Sequence, residues 1–143
     1  VVFDESEVVA GGEEVTVCES PYGAIGFSIC YDLRFPELYR ALSEGGALIV
    51  TVPAAFAAKT GKDHWETLLR ARAIENQVFV LAPAQIGTKP DGSVCYGRSM
   101  IIDPWGTVLA QAQDSESVIL ADLDMDHLAR IRQLLPVLEN RRM

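Results

Sequence analysis

Gly26-Phe27-Ser28-Ile29-Cys30-Tyr31-Asp32-Leu33-Arg34-Phe35-Pro36-Glu37 is the stretch from which the fold is read. An apolar run ends at a cysteine and gives way at once to charged residues and a proline. Pro36 fixes φ and lacks an N–H, which suits the first turn of a helix. The chain is therefore predicted to pass from a strand ending at Cys30, through a tight turn, into a helix that starts near Phe35 and closes at Gly45-Gly46. Ala47 to Val52 follows as an unbroken apolar run, the pattern of a strand buried on both faces. Strand, helix and strand make a β-α-β unit. Parallel pairing of its strands requires a right-handed crossover and brings the loop after Val52 beside the loop after Cys30. A thiol at such a turn is aimed at a cleft; the alternative is a small buried hydrophobe, as free cysteines commonly are.

Working outward, Glu14 to Glu19 and Ala24 to Cys30 flank Ser20-Pro21-Tyr22-Gly23 and read as an antiparallel hairpin. Asp63 to Gln77 carries good helix formers, with Trp65, Leu68, Leu69 and Ala73 near one side and Asp63 as the expected N-cap. Val78 to Ala84 is a further buried strand, and Thr88 to Gly92 holds a Lys-Pro-Asp-Gly turn. Ser99 to Ile102 and Thr107 to Ala110 flank a Pro-Trp-Gly turn as a hairpin. Ser117 to Ala121 closes the strand series, and Asp124 to Leu135 is a last amphipathic helix before Pro136. The result is an α/β chain without internal repeat.

At 143 residues the chain is long enough for one core, and 49% hydrophobic with 22% charged residues is ordinary globular composition. No apolar run approaches the ~20 residues a membrane helix needs, so no membrane partner is expected. A net charge of −8 argues against a nucleic-acid partner, since phosphate contacts require clustered Lys and Arg. Cys18, Cys30 and Cys95 are widely spaced, without a Cys-x-x-Cys or Cys/His array, which argues against a disulfide framework or a zinc site and fits a cytoplasmic location. Val1-Val2-Phe3-Asp4 has neither an initiating methionine nor a basic n-region, so it reads as the middle of a longer sequence.

Ser28 to Glu37, then Pro53-Ala54-Ala55-Phe56, then His64-Trp65-Glu66 running into Arg70-Ala71-Arg72-Ala73-Ile74-Glu75-Asn76, resemble the nitrilase superfamily of carbon–nitrogen hydrolases. Tyr96-Gly97-Arg98-Ser99-Met100 and Asp103-Pro104-Trp105-Gly106-Thr107-Val108 continue the likeness, which is nearest to the amidase branch that includes deaminated glutathione amidase and omega-amidase. The resemblance implies that residues 1–143 are the C-terminal part of an N-terminally truncated carbon–nitrogen hydrolase domain, supplying part of a nitrilase-like α-β-β-α sandwich. It also implies a homo-oligomer, a small-molecule amide substrate, no cofactor and no metal. The implied chemistry is a Glu-Lys-Cys triad in which Cys30 attacks a carboxamide, ammonia leaves and water hydrolyses the thioester, with the Tyr31 N–H facing the oxyanion. The triad lysine would fall just before Val1, because the family word around it ends like Val2-Phe3-Asp4, and the triad glutamate farther upstream. An auxiliary glutamate stands a short spacer before a glycine in the family, and Glu7-Val8-Val9-Ala10-Gly11-Gly12 matches that arrangement, although Gly11 stands where a proline is usual. Glu7 is thus the candidate and Glu5 the fallback; a solvated acid in a surface loop is the plain alternative.

Ala55 and Phe56 lie in the loop that the β-α-β geometry brings beside Cys30, as candidate pocket walls for substrate, with a core aromatic as the other reading of Phe56. Asp32 and Arg34 are expected to orient the turn or to pair with Glu37, a kind of surface pair worth under about 1 kcal/mol. Glu66 with Arg70 and Arg72 with Glu75 have helix-pairing spacing and read as structural. His64 could partner Cys30 in a papain-like dyad but is expected at the start of a helix after a Thr60-Gly61-Lys62 loop, and lacks an Asn or Asp pattern to orient it. His127 lies on the last helix, and Cys18 and Cys95 read as structural. The full-length form is expected to be an amidase, whereas residues 1–143 alone, without the upstream lysine and glutamate, are expected to be inactive. Two rival readings are a catalytically inactive fragment or interaction module of the same fold, and thiol redox chemistry at Cys30, for which no resolving cysteine lies nearby in sequence.

Overall fold

The structure, a computed structural model, describes residues 8–142. Strand β1 (Val17–Cys18) pairs antiparallel with β2 (Ile25–Phe27) across a turn in which Ser20 Oγ donates to Gly23 O. After β2 a 3₁₀ turn (Cys30–Arg34) leads into α1 (Pro36–Glu44), with Phe35 as N-cap and Pro36 in the first turn. β3 (Ile49–Thr51), α2 (Ala58–Asn76) and β4 (Phe79–Ala82) complete two crossovers. β5 (Ile86–Thr88) and β6 (Val94–Tyr96) form a separate antiparallel hairpin. β7 (Met100–Ile102), β8 (Val108–Gln111) and α3 (Met125–Leu134) finish the chain. The main sheet has the order β1-β2-β3-β4-β7-β8. Its centre is parallel, with Gly26 opposite Val50 and Val50 opposite Val80, so the carboxyl ends of β2, β3 and β4 share one edge.

Helices α1 and α2 bury their apolar sides on one face of this sheet, where Tyr39, Leu42, Trp65, Leu69 and Ala73 pack with Val50, Val80 and Ile102. The opposite face carries a smaller cluster of Ile49, Phe79 and Leu128, flanked by Leu81, Leu123 and Met125. The β-α-β unit and the 100–111 hairpin form as the apolar runs predict.

Four expectations are corrected and one hairpin is added. Cys30 does not end a strand: it lies beyond β2 and opens the 3₁₀ turn. Asp63 is not the N-cap of α2, which is Ala57, and so His64 sits inside the helix rather than at its start. Thr60-Gly61-Lys62 reads as a loop because glycine disfavours helices, yet here Gly61 lies where the Tyr96 ring crosses α2, and a Cβ would sit 2.3 Å from Tyr96 Cγ. Ser117 to Ala121 forms no strand; Val118 and Leu120 are each 85% exposed, so the alternation is present but no described strand accepts it. Finally, the Lys89–Gly92 turn carries the β5–β6 hairpin, which Gly87 at φ +103° hides from a strand pattern.

Candidate active site

Cys30 occupies a conformation that residues with a β-carbon avoid. Its φ is +47°, inside the left-handed region, a strain of about 1–3 kcal/mol that persists only where the surroundings impose it. Four sets of bonds do so. The Cys30 N–H donates to Pro53 O at 2.9 Å, tying the turn to the end of β3. The Ile29 N–H donates to Asp32 Oδ2 at 2.8 Å, so Asp32 caps the turn from within. Ser28 Oγ donates to Thr51 O at 2.9 Å and lies 2.8 Å from Tyr39 Oη. Since a hydroxyl has one proton, Tyr39 is the donor in the second contact, and burial keeps it protonated by pushing its pKa up to about 12. Finally Arg72, only 5% exposed, places Nε (3.1 Å) and Nη2 (2.8 Å) on Leu33 O, with Nη1 on Glu75 Oε1 at 2.9 Å. Hydrogen bonds from a charged group contribute about 1.5–3 kcal/mol each, so this pair alone can offset the strain at Cys30.

The neighbours of Cys30 come from the same sheet edge. Tyr31 is 65% exposed, and no backbone acceptor among the described residues takes its N–H. Phe56 is 3% exposed, its ring centroid 5.1 Å from that of Trp65, so both readings of it hold in part: it is a core aromatic with one face turned to the Arg34 guanidinium, 4.9 Å from the ring centroid. Arg34 also lies 5.4 Å from the Tyr31 ring, and its Nη1 is 3.2 Å from His64 Nδ1. A guanidinium only donates, so in this contact His64 Nδ1 is the acceptor. His64 is thereby committed to Arg34 rather than paired as in a papain-like dyad. Among the described residues Arg34 forms no ion pair with a carboxylate; Asp32 caps the turn, and Glu37 is exposed. Ala55 is half-buried between Ala54, which bridges Ala84 on the neighbouring loop, and Phe56, whose carbonyl accepts the Tyr96 N–H at 2.7 Å. Trp65 Nε1 donates to Arg98 O at 2.9 Å, joining this wall to the start of β7.

Cys30, Tyr31, Ala55 and Phe56 are thus placed on one edge, whereas Glu7 and Glu5 lie outside the described residues. Ser28, Tyr39 and Arg72 went unrecognised in the sequence as supports of the turn; Arg72 and Glu75 have the spacing of an ordinary helix-surface pair, and only the depth of Arg72 distinguishes them. Of the two cysteines read as structural, Cys95 is buried and Cys18 is exposed. His127, on α3, lies 3.5 Å from Asp103 Oδ2. Two grooves, of about 390 Å³ beside Gln85, Arg98 and Ser117 and about 550 Å³ beside Trp105, His127 and Leu134, are not lined by Cys30. Among the described residues no group of three or more His, Cys, Asp and Glu side chains could hold a metal ion, and no helix is long and apolar enough to cross a membrane.

A cysteine in the left-handed conformation stands at a strand-to-helix elbow, on the carboxyl edge of the parallel strands of an α/β sheet. The chain belongs to the carbon–nitrogen hydrolase family, whose model matches residues 1–133, and hence to the nitrilase superfamily. It is 48% identical over 144 residues to the deaminated glutathione amidase of Dictyostelium discoideum, covering 100% of this chain and 50% of that one. The C. elegans NitFhit protein superposes with a TM-score of 0.94 at 44% identity, over 99% of this chain and 35% of that one. A mutant amidase from Nesterenkonia sp. AN1 superposes with a TM-score of 0.77 at 29% identity, over 94% of this chain and 47% of that one. That structure carries the acetamide moiety of fluoroacetamide covalently on its active-site cysteine. The chain spans about half the length of the curated relatives it matches. The nitrilase-like α/β architecture expected from the sequence is the one found.

Proposed function

We propose that Cys30 is the nucleophile of an amidase that hydrolyses a small carboxamide, in the manner of deaminated glutathione amidase. The observation that carries this reading is the left-handed Cys30 with, next to it, a Tyr31 N–H that has no acceptor among the described residues. Cys30 Sγ attacks the carboxamide carbon, and the oxygen, now negative, accepts the Tyr31 N–H. The C–N bond breaks and the nitrogen leaves as ammonia, taking up the thiol proton. Water then attacks the thioester, releasing the acid and restoring the thiol. Glu7 is the auxiliary carboxylate of this scheme, and Ala55 and Phe56 form the pocket wall.

Arg34 supports a finer reading. It is a cation held over the Phe56 ring, four residues along the same turn from Cys30, without a carboxylate partner among the described residues, and a guanidinium binds carboxylates in a two-pronged fashion. A substrate bearing a carboxylate as well as the carboxamide fits that position. Residues 1–143 belong, in this proposal, to one carbon–nitrogen hydrolase domain of a cytoplasmic homo-oligomer that uses neither cofactor nor metal and engages neither membrane nor nucleic acid. Nothing among the described residues favours the rival reading as an inactive interaction module.

The test is ammonia release from deaminated glutathione and from simple carboxamides by the full-length protein, which would carry the upstream glutamate and lysine of the triad, and by its C30A variant, with mass spectrometry for the acyl-enzyme. Turnover with an acyl adduct on Cys30, lost in C30A, is the expected result. Turnover that survives in C30A, or no turnover of any carboxamide by the wild-type protein, overturns the reading.

A further inference from the structure

We propose that Arg72 is a positioning residue for the nucleophile: by gripping Leu33 O it locks the 3₁₀ turn that holds Cys30 in its left-handed conformation. The proposal rests on the assignment of Cys30 as nucleophile. Arg72 belongs to α2, but it devotes two of its donors, Nε and Nη2, to a single carbonyl on another element, the Leu33 O of the turn, and only Nη1 to Glu75. Its guanidinium also stands 5.4 Å from the centroid of the Tyr39 ring, and Tyr39 Oη in turn meets Ser28 Oγ, two residues before Cys30. One buried cation thus reaches both flanks of the cysteine, directly on the Leu33 side and through Tyr39 on the Ser28 side.

The burial of the charge explains why the device is an arginine and not an apolar residue of similar size. A buried cation is tolerated only while its donors are satisfied. If the turn relaxes so that Cys30 regains a negative φ, Leu33 O swings off the guanidinium and leaves two N–H groups unpaired in a buried site. The strained turn is then the one turn compatible with a folded α2. A helix-surface ion pair with Glu75 would need neither the burial nor the second and third hydrogen bonds. What the lock fixes are the direction of the Cys30 Sγ and that of the Tyr31 N–H, which has no acceptor among the described residues, the two vectors an acyl-transfer step requires.

The experiment compares the wild-type protein with R72M, which fills the space without donors, with R72K, which retains one donor, and with L128A, a core truncation in the cluster on the opposite sheet face. Two readouts are taken: kcat and KM on a carboxamide, and the rate of Cys30 alkylation by iodoacetamide relative to Cys18, across about pH 6 to 9. A misplacement of the order of 1 Å costs about 100-fold, so R72M should lose roughly that factor in kcat with KM changed less than about threefold. R72K should recover about tenfold of the loss, since its ammonium still reaches Leu33 O. R72M should also move the Cys30 alkylation profile while leaving that of Cys18 in place, and L128A, matched for loss of Tm, should change neither readout. Unchanged kcat and Cys30 profile in R72M, or an equal effect from L128A, overturns the proposal. Should R72M fail to fold, R72K decides: a kcat about tenfold below wild type supports the lock and an unchanged kcat refutes it. If the wild-type protein turns over no carboxamide, the functional reading fails while the alkylation comparison still decides the role of Arg72.

Discussion

Cys30 and Tyr39 show how single residues are held against their own preferences. At φ +47° a β-carbon costs about 1–2 kcal/mol relative to glycine, so C30G should be more stable than C30A by about 1 kcal/mol although both lack the sulfur. In thermal unfolding that is an advantage of about 2–4 °C for a chain of this size; a C30A protein that melts as high as C30G would show that no strain is stored there. Tyr39 offers a prediction in pH. Its folded pKa of about 12 exceeds the ordinary value of 10.0 because burial opposes the phenolate. Below about pH 10 the phenol is neutral in both states, and the stability contributed by this linkage is fully present. Between pH 10 and 12 the unfolded chain ionises first, and up to roughly 3 kcal/mol is lost as the folded pKa is approached and passed. Y39F has no such proton, so its Tm should fall less steeply than wild type over that interval; parallel curves would contradict the buried-donor assignment.

At the scale of an element, α2 is the instructive case, because its centre is legible in the sequence and its start is not. Trp65, Leu69 and Ala73 mark a buried side, and all three are fully buried. The first turn is hidden because Gly61 is chosen for a long-range reason, the passage of the Tyr96 ring from β6. A propensity scale would make G61A stabilising by about 1 kcal/mol; the contact geometry makes it destabilising by about 1–3 kcal/mol through overpacking. The two arguments separate in a double mutant: with Y96A the ring is gone, and G61A should become neutral or stabilising in Tm. If G61A costs the same with and without the Tyr96 ring, the close approach is not why the glycine is there. The β5–β6 hairpin escaped a pattern-based reading for a similar reason, since Gly87 interrupts strand alternation and β5 is exposed throughout.

For the whole molecule, apolar runs made the buried centre of the sheet legible, because Ala47–Val52 and Val78–Ala84 have few other places to go than the interior of a parallel sheet, whereas the full strand order was not read from them. The candidate site was legible at Cys30 and in the loop beside it, but not in its supports: serine, tyrosine and arginine letters carry no mark of burial, and the network linking them joins residues far apart in sequence. Local stability should follow that layered arrangement. Amides of β3 and β4, each paired on both sides and packed over Val50 and Val80, should exchange with solvent slowest. The two-residue edge strand β1 and the β5–β6 hairpin should exchange fastest among the strands. The elbow breaks the usual rule that turns are open. The Cys30 amide, bonded to Pro53 O beside buried Val52 and Ala54, should be protected nearly as well as β3, whereas its neighbour Tyr31, with no described acceptor, should exchange many-fold faster. Residue-resolved hydrogen exchange by NMR reads both amides in one experiment. Protection at Cys30 with an open Tyr31 is what a rigid turn offering a free donor requires; two equally fast amides would mean that the turn is not held, and two equally slow ones that the Tyr31 donor is already taken.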